Sequence, residues 1–316
     1  MDFPVLNDAV RLERLRPPPE KVHMVLDTDT YNEIDDQFAV VQSLLSPERL
    51  AVEAIYAAPF LNKRSASAGD GMEKSYEEIQ RLLSRLVVKA EGFALRGSTS
   101  FLPAPGQAVD SPAARDLIHR AMARSPVDAP LYVVAIGAIT NVASAILMEP
   151  RIIERVVVVW LGGQPLHWRT AREFNLAQDL PASQLLFDCG VPLVHIPCET
   201  VASHLLTTVP EIERWVQGQG PIGDYLAGIF KAHHEDHFAW GKVLWDLSAP
   251  GWLINNRWVP TDLVPSPILT DQVTWSLDRS RHVIRIATSV DRNGVFRDLF
   301  TSLRRRAESM QKQMPS

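Results

Sequence analysis

Short apolar runs rich in β-branched residues alternate with longer amphipathic stretches along most of this chain, and that alternation restricts its fold more than any other feature. Strands are expected at 22–26, 52–57, 131–136, 155–161 and 192–197, with a shorter one at 93–96. Helices are expected at 34–45, 71–86, 111–123, 140–148, 181–189, 210–217, 221–234, 243–254 and 295–309. Strands separated by helix-length segments build βαβ units, so the reading is α/β: a central, mostly parallel sheet flanked by helices. The alternating stretch 275–290 reads as a late hairpin. Neither a repeat nor a low-complexity linker divides the chain, so residues 21–316 are expected to form one large domain, with residues 1–20 as an N-terminal arm.

Composition narrows the function. A hydrophobic share of 46% supports a sizeable core, and a net charge of −5 lacks the basic footprint of a non-specific nucleic-acid or anionic-membrane binder. No apolar run reaches the eighteen or so residues that a spanning helix needs. Two cysteines, Cys189 and Cys198, are too few for a disulfide scaffold, and the opening residues have no apolar h-region. A cytoplasmic protein without nucleic-acid or membrane partners is therefore expected.

The segment Val25-Leu26-Asp27-Thr28-Asp29-Thr30-Tyr31-Asn32-Glu33-Ile34-Asp35-Asp36 carries the densest chemical signal: an apolar strand runs straight into five acidic residues. Ligands of open α/β sheets bind in loops at the carboxyl ends of strands. Carboxylates crowded there repel one another unless protons or a cation compensate them, and a hard divalent ion with oxygen ligands is the natural compensator. A helix start tolerates one or two such charges and not five.

This segment resembles the D-x-D-P-G-x-D-D-A fingerprint of the inosine/uridine-preferring nucleoside hydrolases. Three further segments follow in the family's order: Ala135 to Asn141, Glu173-Phe174-Asn175 with Asp179, and Trp245-Asp246. The resemblance implies a calcium site made by Asp29, Asp36, the backbone carbonyl of Ile136 and Asp246, with Asp27 in support. It implies Asp29 as the base for the attacking water, and Asp35, Asn62, Glu173 and Asn175 as ribose contacts. The substrate would be a small ribonucleoside or riboside, and the assembly a homodimer or homotetramer.

The departures are as informative. Five residues separate Asp29 from Asp35 where the family has three, Trp245 stands where many members have a histidine, and His167 falls at the place of a ribose-contacting asparagine. With that histidine absent, His233 and His237, four apart on the expected helix 221–234 and its extension, are the candidates for protonating the leaving group, or for a separate zinc or nickel site. Two other readings compete: a non-catalytic ribose-binding protein of the same fold, and a phosphatase in which Asp27-Thr28-Asp29-Thr30 supplies nucleophile and acid.

Overall fold

The computed structural model describes residues 2–313. Its first half runs α1 (Asp8–Arg14), β1 (Val22–Thr28), α2 (Asp35–Leu44), β2 (Leu50–Ala57), α3 (Ala68–Leu86), β3 (Ala94–Arg96), α4 (Pro112–Met122), β4 (Leu131–Ala135), α5 (Thr140–Met148), β5 (Val156–Leu161), α6 (Phe174–Gln178), α7 (Leu180–Asp188) and β6 (Leu193–Ile196). Then follow β7 (Leu206–Thr208), α8 (Val209–Trp215), α9 (Gly220–Ala232), β8 (Gly241–Val243), α10 (Ser248–Ile254), β9 (Thr261–Pro265), β10 (Ile268–Leu269), β11 (Trp275–Ser276), β12 (Val283–Ala287) and α11 (Arg292–Gln313).

Eight strands form one sheet in the order β3-β2-β1-β4-β5-β6-β12-β9, parallel throughout except for β9, which runs antiparallel to β12 at the edge. The strands are continuously apolar because both faces are covered. On β5, Val157, Val159 and Leu161 enter one core while Val156, Val158 and Trp160 enter the other. The first core also holds Phe38, Leu82, Phe230 and Leu299 from α2, α3, α9 and α11, and the second holds Leu117, Ile146 and Leu186 from α4, α5 and α7. Helix starts are set by short polar side chains: Ser67 accepts from the Asp70 amide and Ser111 from the Ala114 amide, with Pro112 at the first helical position.

The strand order places the site. From β1 the chain builds outward through β2 to β3, then returns to β4 on the other side of β1 and builds the opposite way. The loops leaving β1 and β4 therefore diverge, and the crevice between them is the topological switch point where such sheets bind ligands.

Three expectations need correction. The 275–290 stretch is not a hairpin: β11 pairs with β10, while β12 enters the main sheet between β6 and β9. Ile284 and Ile286 are buried there, so the unpaired edge of β6 wins the strand over a local partner. The expected helix 243–254 is broken: β8 ends at Val243, a 3₁₀ turn spans Trp245–Leu247, and α10 begins at Ser248. Helix α9 stops at Ala232, one residue short of His233.

Before β1, Leu15 is fully buried, Arg11 donates to the Gly190 carbonyl at 2.9 Å and Arg14 to the Asp128 carbonyl at 2.7 Å. None of the described helices is long and apolar enough to cross a membrane.

Candidate active site

Burial brings the acidic residues together. Asp35 and Asp36 are the first two residues of α2, where the helix dipole favours negative charge, and Ile34 before them supplies no side-chain cap. Asp246 sits on the 3₁₀ turn that packs against α2. One carboxylate oxygen from each of Asp35, Asp36 and Asp246 lies within 4.8 Å of the others, and all three residues are buried. Among the described residues this is the one cluster of three or more potential metal-binding side chains, and it contains no histidine.

Asp29, the first residue after β1, is fully buried and neither of its carboxylate oxygens has a hydrogen-bond donor. Gly137 leaves it room, since a Cβ there would lie 3.1 Å from the Asp29 carboxyl carbon. Asp27 is held differently: Asn141 Nδ2 donates to its Oδ1 at 2.7 Å, while Asn141 Oδ1 accepts the Ser98 amide. Neither Asp27 nor Asp29 lines the cavity: both lie beneath it, Asp27 tied to Asn141 and Asp29 without a donor.

The electrostatics follow from this crowding. Burial, and then the neighbouring Asp36 and Asp35, push the Asp29 carboxyl well above the usual range. Burial and Asp35 raise Asp36 to about 8, and burial with Asp35 and Asp36 raises Asp246. Burial alone takes Asp27 to about 7, against the opposing Asn141 hydrogen bond. Burial also raises Asp35, but there the Lys242 ammonium opposes it. Lys242 is paired with Glu33, and although burial works against its charge, Asp35 and Glu33 hold it protonated above its usual range.

The cavity, of about 330 Å³, is lined by Asp35, Asp36, Asn62, Ile136, Glu173, Asn175, Trp245 and Asp246. Glu173 caps α6: its carboxylate accepts the amides of Gly163 at 2.7 Å, Asn175 at 2.9 Å and Leu176 at 3.1 Å. Asn175 Nδ2 donates to the carbonyls of Ile136 and Leu161, both at 3.1 Å, and so fixes the rim between β4 and β5. Asn62 Nδ2 donates to Asn32 Oδ1 at 2.6 Å.

The histidines are elsewhere. His167 is exposed on the loop after β5 and does not line the cavity. His233 caps α9 and faces a neighbouring cavity, while His237 lies in the following loop with Nε2 2.9 Å from the Lys231 carbonyl. Both rings pack on Trp240. The expected shared helical face does not exist, because the helix ends before either residue, and neither is brought to the carboxylates.

Sequence reasoning missed Lys242, Gln164, Cys198 and Glu199. The last two follow β6, and the rule that ligands gather at strand carboxyl ends would have singled them out. Lys242 carries no such mark; only its pairing with Glu33 reveals it.

Comparison with known proteins agrees with the fold. A pyrimidine-specific ribonucleoside hydrolase (RihA) of Klebsiella pneumoniae is 29% identical over 75% of this chain and 83% of its own length. A pyrimidine-specific ribonucleoside hydrolase (RihB) of Escherichia coli is 25% identical over 77% and 81%. The solved structure of a plant nucleoside hydrolase superposes with a TM-score of 0.71 at 17% identity, covering 90% of this chain and 99% of its own. A purine-preferring ribonucleoside hydrolase from Gardnerella vaginalis gives 0.69 at 20%, covering 91% and 99%. Because the model of the inosine-uridine preferring nucleoside hydrolases matches residues 24–297, most of its length, the chain belongs to that family and is an N-glycosidase.

Proposed function

We propose that this protein hydrolyses the N-glycosidic bond of ribonucleosides with the help of a calcium ion, releasing base and ribose. One observation carries the reading: Asp35, Asp36 and Asp246 converge, buried, at one cavity, Asp29 lies buried close enough for Asp36 and Asp35 to act on its charge, and Lys242 opposes the charge of Asp35. Such a cluster fits a hard cation. Its donors are all oxygen, three of them already converge, and Asp29 has two oxygens that no protein donor satisfies. Asp29, Asp36, Asp246 and the Ile136 carbonyl are the residues assigned to hold it. Calcium, when bound, offsets their charge and makes water more acidic.

Asp29 takes the proton of the attacking water, a role suited to a carboxylate with both oxygens unengaged. Asp35, Asn62, Glu173 and Asn175 orient the ribose hydroxyls, and the carboxylates stabilise the positive charge that builds on the sugar as the bond breaks. Trp245 lines the cavity and has no proton suited to the departing heterocycle, and the histidines stand outside that cavity. The pyrimidine-specific relatives make uridine and cytidine the first substrates to try. Base release from uridine, cytidine and inosine, lost with a chelator and restored by calcium, is the expected result; chelator-insensitive turnover would remove the metal from the reading. Calorimetry should show Asp36→Ala losing most of the calcium affinity.

A further inference from the structure

Beside the ribose cavity a second one of about 380 Å³ opens between the 30–34 loop, α2, α3 and α9, and the two share a single lining residue, Glu33. Its wall holds polar groups that folding leaves unsatisfied. Gln37 is 3% exposed with no donor for its Oε1, and His233, itself half-buried, has a covered Nδ1 without a partner. Such orphans in a cavity ask for a ligand, because burying a polar group unpaired is costly. Arg64 adds charge. Its Nη1 donates to the carbonyls of Tyr31 at 3.2 Å and Glu33 at 3.3 Å, and its guanidinium lies 5.5 Å from the Tyr31 ring centre, yet among the described residues it forms no ion pair with a carboxylate. The other charges in this wall are matched, Arg81 by Glu78 and Glu33 by Lys242. Lys242 and Lys63, outside the lining, add to the positive charge that Arg64 brings to bear on His233, and Glu33 opposes them.

Glu173 and Asn175 follow β5, two strands along the sheet from β1, whose loop carries Glu33. A ribose held by Glu173 and Asn175 stands two strands from the loop that carries Glu33, the residue the two cavities share. We propose that this second cavity receives the distal edge of the base and that Arg64 reads an anionic substituent there, so that ribonucleosides whose base carries a carboxylate are preferred. The proposal rests on the ribonucleoside hydrolysis argued above.

Uridine-5-carboxylic acid and uridine-5-carboxamide nearly match in shape and differ in charge at the edge remote from the sugar. A charge-assisted hydrogen bond predicts kcat/KM about ten-fold or more in favour of the acid. Arg64→Gln should bring the ratio to about one, and Arg64→Lys should retain part of it. The ratio is the readout, since Arg64 also ties the 30–34 loop and its loss could lower both rates. A wild-type ratio of one or less, with uridine cleaved, overturns the proposal and leaves hydrolysis standing; a high ratio unchanged in Arg64→Gln overturns it too. If no riboside is cleaved, the hydrolysis reading fails, and calorimetry with free uracil-5-carboxylate and uracil-5-carboxamide decides the cavity. Tighter binding of the acid, lost in Arg64→Gln, supports it, and equal binding overturns it.

Discussion

Asp29 is the residue at which stability and chemistry pull apart. Both of its oxygens are buried without donors, so its charge is a cost to the fold that only a catalytic or ligand-holding use offsets. Asp29→Asn should therefore lower kcat by about 10²–10⁴, the usual worth of a general base, while the Tm of the chelated protein stays level or rises. A large fall in Tm would mean that Asp29 is structural. His237→Ala should leave kcat/KM within about two-fold, because its ring is occupied with the Lys231 carbonyl and Trp240; Trp245→Ala should cost about three- to ten-fold through lost stacking on the base. The acidic residues were legible in the sequence because five carboxylates after one strand have few inexpensive explanations. The histidines were misread because a spacing of four implies one helical face only while the helix lasts, and the end of α9 at Ala232 carries neither glycine nor proline to announce it.

At the scale of elements, the parallel core was readable because strands buried on both faces must be apolar at every position, as β4 and β5 are. The β12 placement was not readable: strand pairing is a competition between partners, and alternation within 275–290 says nothing about the open edge of β6. The junctions between elements are tighter than the elements themselves. Gly97, just past β3, lies so close to β2 and α5 that a Cβ would stand 2.0 Å from the Ala57 carbonyl oxygen and 2.4 Å from Asn141 Nδ2. Asn141 in turn holds Asp27. Gly97→Ala should accordingly destabilise by about 1–3 kcal/mol, read as a Tm lower by several degrees, and should weaken calcium binding as Asn141 is displaced. An unchanged Tm would show that the β3 junction yields without strain.

For the whole molecule, the site makes stability depend on pH with an unusual sign. Carboxylates of most folded proteins titrate low, so stability rises with pH; here burial and mutual repulsion raise them, Asp27 to about 7 and Asp36 to about 8, with Asp29 and Asp246 shifted the same way. Between the unfolded value near 4 and these folded values, the native state without metal binds more protons than the unfolded chain, and each such proton removes about 1.4 kcal/mol per pH unit as pH rises. His195 and His282 act oppositely, since burial lowers each to about 4 and stability then increases with pH up to the unfolded histidine value near 6.5. At pH 6.5 the unfolded histidines are still about half protonated, so they oppose the carboxylates with a fading slope up to about pH 7.5, above which both are neutral in either state. Chelated protein should therefore lose roughly 2 kcal/mol from Asp36 alone between pH 6.5 and 8, seen as a falling Tm. Calcium binds the deprotonated cluster, so at about a hundred times its Kd it should restore about 2.7 kcal/mol near pH 8 and progressively less at lower pH. Thermal scans at several pH values, with chelator and with calcium, test the pair of slopes; a chelated Tm that rises from pH 6.5 to 8 would show that burial does not raise these carboxylates.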